Sequence, residues 1–125
     1  MKIVVIGGGA AGLMAAWAAA NEGAEVILLE KNSKCGKKIY ITGKGRCNVT
    51  NDCGADEYLA HVVHGGKFLT GAVWSFPPRA LMDHLERGGL RLKTERGNSV
   101  FPVSDKASDV TRCLENYCKN AGVDI

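Results

Sequence analysis

Six residues near the amino end restrict this chain more than any other feature. Gly7-Gly8-Gly9-Ala10-Ala11-Gly12 fits G-x-G-x-x-G, directly after the β-branched run Ile3-Val4-Val5-Ile6 and directly before an alanine-rich stretch. A strand, a glycine turn and a helix in that order open a parallel β-α-β unit. In such a unit Gly7 permits the tight turn, Gly9 lets backbone amides approach a pyrophosphate, and Gly12 allows close packing of helix on strand. The helix N-terminus, at Ala10 and Ala11, adds its partial positive charge. An unbroken run such as Ile3 to Ile6 is predicted to be buried on both faces of a parallel sheet. Ala10 to Asn21 read as the helix, with Ala15, Ala16, Ala18, Ala19 and Ala20 making a smooth cylinder and Gly23 supplying a stop. Val26 to Glu30 is the second strand, and at its end Glu30 can accept hydrogen bonds from a ribose, while its negative charge disfavours a 2′-phosphate. FAD and NAD share the adenosine diphosphate half, so the fingerprint alone leaves the dinucleotide open.

The rest of the chain is read more coarsely. Residues 31–51 are loop-like, with one apolar piece at Ile39-Tyr40-Ile41, and a helix is predicted over Asp56 to Val63. A further helix follows Pro77-Pro78 and carries Leu81, Met82 and Leu85. Leu90 to Thr94 and Ser99 to Phe101 alternate around Gly97-Asn98 like a β-hairpin. A last helix, capped near Ser104 or Asp105, is predicted to put Val110, Leu114, Tyr117 and Ala121 on one face. Asn120-Ala121-Gly122-Val123-Asp124-Ile125 repeats the helix-to-strand layout of Asn21 to Ile27, so a third parallel strand is expected to begin there. The expectation is an N-terminal part of a larger domain. It comprises residues 1–30 as the dinucleotide unit, 31–121 as an insertion or crossover and 122–125 as the start of the next strand, with the substrate domain absent. An insertion of that size at the carboxyl edge of the sheet suits a longer cofactor such as FAD.

Composition excludes several classes. A 125-residue chain with 46% hydrophobic and 23% charged residues is neither disordered nor fibrous. The net charge of +3 is mild. Lys31, Lys34, Lys37, Lys38, Lys44 and Arg46 form a basic segment that no acidic residue interrupts, which points to a local anion site and not to a nucleic-acid partner. Glycines break the N-terminal apolar run and no cleavage site follows it, so a signal peptide, a membrane partner and glycosylation of Asn48-Val49-Thr50 are all disfavoured. A cytoplasmic location is expected. Five cysteines without a C-x-x-C pair fit reduced thiols. Cys113 and Cys118, five residues apart on a predicted helix, are expected to point to different sides.

The stretch Gly36-Lys37-Lys38-Ile39-Tyr40-Ile41-Thr42-Gly43-Lys44-Gly45-Arg46-Cys47-Asn48-Val49-Thr50-Asn51 is the most distinctive part of the sequence. It is not a triphosphate loop, because Gly45 follows Lys44 where a Ser or Thr is needed, and Lys38 stands where the first glycine should be. Together with Gly97 to Val110 it resembles the bacterial FAD-dependent oxidoreductases of the aminoacetone oxidase family, which includes enzymes similar to bile-acid 4,6-reductases. The resemblance runs over nearly the whole chain. It implies an α/β, Rossmann-type FAD/NAD(P)-binding fold, three-layer of ββα type, with an incomplete parallel sheet. It further implies a substrate domain and a returning C-terminal segment that completes the FAD domain.

Carried onto this sequence, the resemblance implies that Gly7, Gly9, Ala10, Ala11 and Gly12 hold the pyrophosphate and Glu30 the ribose. Lys31, Gly36, Lys37 and Lys38 would lie nearby, and Thr42, Gly43, Gly45, Arg46, Cys47 and Asn48 would run along the flavin. Glycines there would let N–H groups face the ring system, and Arg46 would stabilise the negative charge of a reduced flavin. NAD(P)H is the implied co-substrate and a small molecule the implied substrate, either an amino ketone that is oxidised or an unsaturated steroid-like acid that is reduced. Cys47 is read as a small apolar filler in preference to a reactive thiol. His61 and His64 lack the partners of a metal site, and Trp17 and Trp74 are read as packing residues. An NAD-binding module and a non-catalytic fragment are the competing readings.

Overall fold

The computed structural model describes residues 1–125. Strand β1 (Lys2–Ile6), helix α1 (Ala10–Asn21) and strand β2 (Glu25–Leu29) form the expected β-α-β unit. The two strands pair in parallel from Lys2 opposite Glu25 to Ile6 opposite Leu29. Asp124 bridges Ile27 in parallel on the other side of β2, with its carbonyl accepting from the Leu28 amide at 2.7 Å. The third strand therefore does begin where the repeated layout placed it, and the order is third strand, β2, β1.

Both crossovers put their helices on one face of this sheet, as right-handed connections require. Leu13 and Ala16 of α1 and Leu114 and Cys118 of the last helix pack on Val26 and Leu28 there. The opposite face corrects the prediction of strands buried on both sides: Val4 is 56% exposed, Ile6 86% and Leu29 53%. The apolar run was read rightly as a parallel strand, but nothing in this chain lies over that face.

Between β2 and the third strand the chain builds a second, antiparallel sheet. Strand β3 (Thr50–Asn51) and strand β4 (Leu92–Thr94) flank β5 (Ser99–Pro102), the order being β3-β5-β4. The hairpin lies where Gly97-Asn98 placed it, but Leu90 and Arg91 fall outside the ladder, since Leu92 pairs with Pro102. The partner strand β3 has only two residues and too little pattern to be seen in the sequence.

Helices α2 (Ala55–Ala60), α3 (Gly66–Ser75), α4 (Pro78–Arg87) and α5 (Ala107–Asn120) complete the chain. The sequence reading extended α2 by several residues and had no helix at α3. That helix has no buried residue, and its apolar side chains include an almost fully exposed Phe68. It makes no stripe facing this core, which is why periodicity missed it. Pro78 occupies the first turn of α4, where its missing N–H costs nothing. The cap of α5 is shifted, because Ser104 Oγ accepts from the Lys106 amide at 3.2 Å and the helix starts one residue later. Cys113 Sγ faces the Leu85 carbonyl and Cys118 Sγ the Leu13 carbonyl, so the two thiols do point apart. No helix is long and apolar enough to cross a membrane.

The first turn of α1 rests on β1 through Gly12. A Cβ at that position would lie 1.8 Å from the Gly7 carbonyl oxygen, a backbone atom that cannot step aside. Gly12→Ala is therefore expected to destabilise the protein by about 3 kcal/mol or more, the upper end of over-packing penalties. Urea unfolding monitored by circular dichroism reads this directly, and an unchanged midpoint would show that the helix can shift to make room.

Candidate functional site

The centre of the site is the backbone of Gly8. Gly7, with φ of +100°, turns the chain after β1, and the Gly8 N–H then donates to Glu30 Oε2 at 2.8 Å. The Gly8 carbonyl accepts from the Gly36 amide at 2.7 Å. Glu30 Oε1 accepts from both the backbone and the side chain of Asn32, at 2.8 and 2.7 Å. Backbone N–H groups of Asn32 and Gly8 thus hold the Glu30 carboxyl below its ordinary range, so it is an anion at neutral pH. A Cβ on Gly8 would come within 2.7 Å of Cys35 Sγ and 3.2 Å of Glu30. The fingerprint treats this position as variable, yet here Cys35 and Glu30 occupy the space that a side chain would need.

Gly9 is different. Its added Cβ would meet nothing within 4 Å, so the protein itself places no steric demand on it. The open space lies at the N-terminus of α1, whose first turn has neither an acidic residue nor a side-chain cap. Unclaimed N–H groups and the positive end of the helix are a suitable seat for a diphosphate.

Two cavities flank this turn. On one side a groove of about 410 Å³ runs from Glu30 and Asn32 past Cys35 to Glu115 and Lys119. On the other an apolar pocket of about 500 Å³ brings Gly9, Ala10, Ala11, Lys38, Thr42, Cys47 and Asn48 together from the sequence-predicted set. Its remaining wall was not foreseen: Met14 comes from α1, Phe76 precedes α4, Leu81 and Leu85 lie on α4, and Val110 lies on α5. These residues carry an ordinary core pattern, and nothing in their spacing distinguishes a pocket wall from a filled interior.

The loop from Lys38 to Asn48 is shaped by unusual backbone. Ile39 to Gly45 form a kinked 3-10 segment, not an extended piece, with Gly43 at φ of +55° and Lys44 at +57°. Cys47 also has a positive φ of +62°. A Cβ on Gly43 would lie 2.7 Å from the Asn48 amide nitrogen and 2.9 Å from the Phe101 ring, so this glycine serves close packing on the small sheet. Asn48, with its amide nitrogen turned to the sheet, donates to the Thr50 carbonyl at 3.0 Å and to the Val100 carbonyl at 3.3 Å. Thr42 Oγ1 donates to the Ile39 carbonyl at 2.8 Å.

Arg46 turns away from the pocket that its neighbour Cys47 lines. Its guanidinium donates to Glu95 at 2.9 and 3.0 Å and to Asp105 at 3.2 Å, and it stacks over the Phe101 ring at 4.0 Å. Lys93 donates to the same Asp105 at 2.9 Å and lies 3.3 Å from Glu95. Two cations and two anions make a neutral group. The hydrogen bonds that Arg46 and Lys93 donate pull both carboxyls down and raise both cations further, so all four stay charged. Arg46 thus fastens the loop to the hairpin. Glu95 and Asp105 lie far from the loop in sequence, so their part in it was not legible.

Cys47 is buried, and its burial pushes the thiol up, away from the reactive thiolate. This agrees with its reading as a filler. Lys31 and Lys37 are exposed, and Lys31 stands close enough to Glu30 to favour its ionised form. Gly36 has φ of +73°, and a Cβ there would lie 2.7 Å from Thr111 Oγ1, so it seats the lysine loop on α5.

The profile of the HI0933-like protein Rossmann domain matches residues 1–125. The chain is 37% identical over 128 residues to a 3-dehydro-bile acid delta(4,6)-reductase of Clostridium scindens, covering 99% of this chain and 30% of that protein. It is 30% identical to a ribosomal RNA dihydrouridine synthase of Escherichia coli, with 96% of this chain and 29% of that protein covered. A protein of the same description from Haemophilus influenzae is 27% identical over 98% of this chain and 30% of its own length. The chain therefore spans under a third of the length of these curated relatives. The crystal structure of Thermovibrio ammonificans THI4 superposes with a TM-score of 0.63 over 98% of this chain and 36% of its own, and at 16% identity it speaks for the fold alone. A β-α-β unit with this glycine turn, joined to this loop and matched over its whole length, makes the chain a member of the HI0933-like Rossmann-domain family.

Proposed function

We propose that this chain is the FAD-binding part of a flavin-dependent oxidoreductase that reduces a carbon–carbon double bond conjugated to a carbonyl group. One observation carries the cofactor reading. A polar groove at an ionised Glu30, an uncapped helix N-terminus beside Gly9 and an apolar pocket of about 500 Å³ follow one another around a single turn. That sequence of environments suits a ribose, a diphosphate and a flat apolar ring system, in that order. The residues fit the group, since Glu30 accepts from the ribose, the α1 amides hold the diphosphate, and Thr42, Cys47 and Met14 exclude water around the ring. When bound, FAD supplies a two-electron carrier that accepts a hydride from NAD(P)H and delivers it to an organic acceptor.

The substrate class is suggested by the relatives. By their names, a delta(4,6)-reductase and a dihydrouridine synthase each add two hydrogens across a carbon–carbon double bond. In both substrate types that bond is conjugated to a carbonyl, so one carbon takes a hydride and its neighbour a proton. A small unsaturated carbonyl compound is the reading preferred here, because the identity is higher to the bile-acid enzyme. A uridine in RNA is the second reading, favoured by Lys31, Lys34, Lys37, Lys38 and Lys44, which are exposed and outside the ion pairs of the structure. The neutral Arg46 group argues against that residue as the charge partner of a reduced flavin.

Purification of the full-length protein tests the cofactor. A yellow preparation absorbing near about 450 nm, the usual band of oxidised flavin, is expected. A colourless protein that retains NAD would instead favour the NAD-binding module, and one that retains neither would favour a non-catalytic product. Anaerobic bleaching by NAD(P)H, with reoxidation by an unsaturated ketone but not by uridine in RNA, would separate the two substrate classes. Glu30→Gln removes the charge that orders Gly8 and receives the ribose. It is expected to weaken FAD about ten-fold in titration calorimetry, the loss of one charge-assisted hydrogen bond.

A further inference from the structure

His84 on α4 is only 2% exposed, and its Nε2 is a buried side-chain atom with no hydrogen-bond partner. The imidazole stacks on Tyr117 of α5, with ring centroids 3.9 Å apart and planes 17° from parallel. Trp17 of α1 closes the other side at 4.3 Å, and Phe76 stands edge-on at 6.4 Å. The Tyr117 hydroxyl donates to the His84 carbonyl at 2.5 Å, and Cys113 donates to the carbonyl of Leu85. One turn further on, a Cβ at Gly88 would lie 2.6 Å from the Tyr117 ring, so α4 is pressed onto α5 with no slack. This histidine is the joint at which α1, α4 and α5 meet.

The same helix carries pocket wall. Leu81 and Leu85, three residues before and one after His84, line the apolar pocket together with Phe76. We propose that His84 is a positioning residue that holds α4 as the wall of the apolar pocket while its ring is neutral, and that its protonation releases the helix and opens the pocket.

The surroundings give the sign. From α1 the ring meets the Trp17 indole, and from α5 the Tyr117 hydroxyl and Cys113 thiol, both of which burial keeps in their neutral forms. On its own helix the charged neighbour that acts on it is Arg87, of like sign, while Asp83 and Glu86 are engaged by Arg79. A protonated His84 would be a buried cation without an acceptor. The faces of Trp17 and Tyr117 return part of that cost, but they do not replace hydration or a counter-charge. Burial, with Arg87 second, accordingly holds the ring below its ordinary range. A base depressed in the folded state gives stability that is complete above about pH 6.5 and is lost as pH falls, because the unfolded form takes the proton first.

Hydrogen exchange of the full-length protein, read by mass spectrometry on peptides spanning residues 78–87, tests this without any bound ligand and so stands or falls separately from the flavin reading. Protection of these amides, corrected for intrinsic exchange, is expected to fall about ten-fold between pH 7.5 and 5.5, one proton's worth of linkage per unit of pH. His84→Phe, which keeps the stack and cannot be protonated, is expected to abolish that fall. The same fall in the variant would overturn the proposal, as would unchanged protection in the native protein. Should the variant not fold, ring resonances of the native protein decide: His84 titrating below the ordinary range of a histidine is expected, and titration within that range would overturn the assignment.

Discussion

Two backbone hydrogen bonds of one residue, Gly8, hold the site together. Gly8 gives its N–H to the ionised Glu30 and takes the Gly36 N–H on its carbonyl. The turn after β1, the end of β2 and the start of the lysine loop are thereby fixed to one another, although they are far apart in sequence. Charge-assisted bonds of this type are stronger and more directional than neutral ones, so the arrangement holds its geometry at an open surface. The demand for glycine follows from the same packing. Cys35 and Glu30 occupy the space that a side chain would need. With Gly8 fixed, the N-terminus of α1 can point only at the gap between the two cavities.

The charges nearby divide into those the fold uses and those it leaves available. Arg46 and Lys93 are matched by Glu95 and Asp105, and four exposed or half-exposed groups of this kind contribute little to stability individually. Their effect is positional, since they fasten a loop with four residues at positive φ to the antiparallel hairpin. What remains to attract an anion is the helix N-terminus together with the lysines of the loop that make no ion pair, of which Lys38 lines the apolar pocket.

The sequence disclosed those features that depend on neighbours along the chain. The strand, turn and helix of residues 2–21, the acidic end of β2, the hairpin around Gly97 and the return to a strand at Asp124 all carry a local period or a turn residue. It disclosed poorly what depends on distant partners. The role of Gly8 needs Cys35, the neutralisation of Arg46 needs Glu95 and Asp105, and the pocket wall needs α4 and α5 packed on α1. Helix α3 and strand β3 were missed for the opposite reason, because neither buries enough apolar surface in this chain to leave a pattern. The residues expected to face a cofactor follow largely from resemblance, and seven of them line one apolar pocket.

The uncovered face of the parallel sheet bears on how independent this site is. The side chains of Val4, Ile6 and Leu29 face away from the helices and none lines the apolar pocket; only the backbone carbonyl of Leu29 reaches the glycine turn, accepting from the Gly7 amide at 2.7 Å. The core on the helical side, from Leu13 through Val26 and Leu28 to Leu114 and Cys118, is closed without them. Side chains alternate along a strand, so the two faces can be filled independently. Covering the exposed face would add stability at the usual rate of about 25 cal/mol per Å² of apolar surface. The geometry of the proposed dinucleotide site is therefore set by α1, α4, α5 and the loop between Glu30 and Asn48.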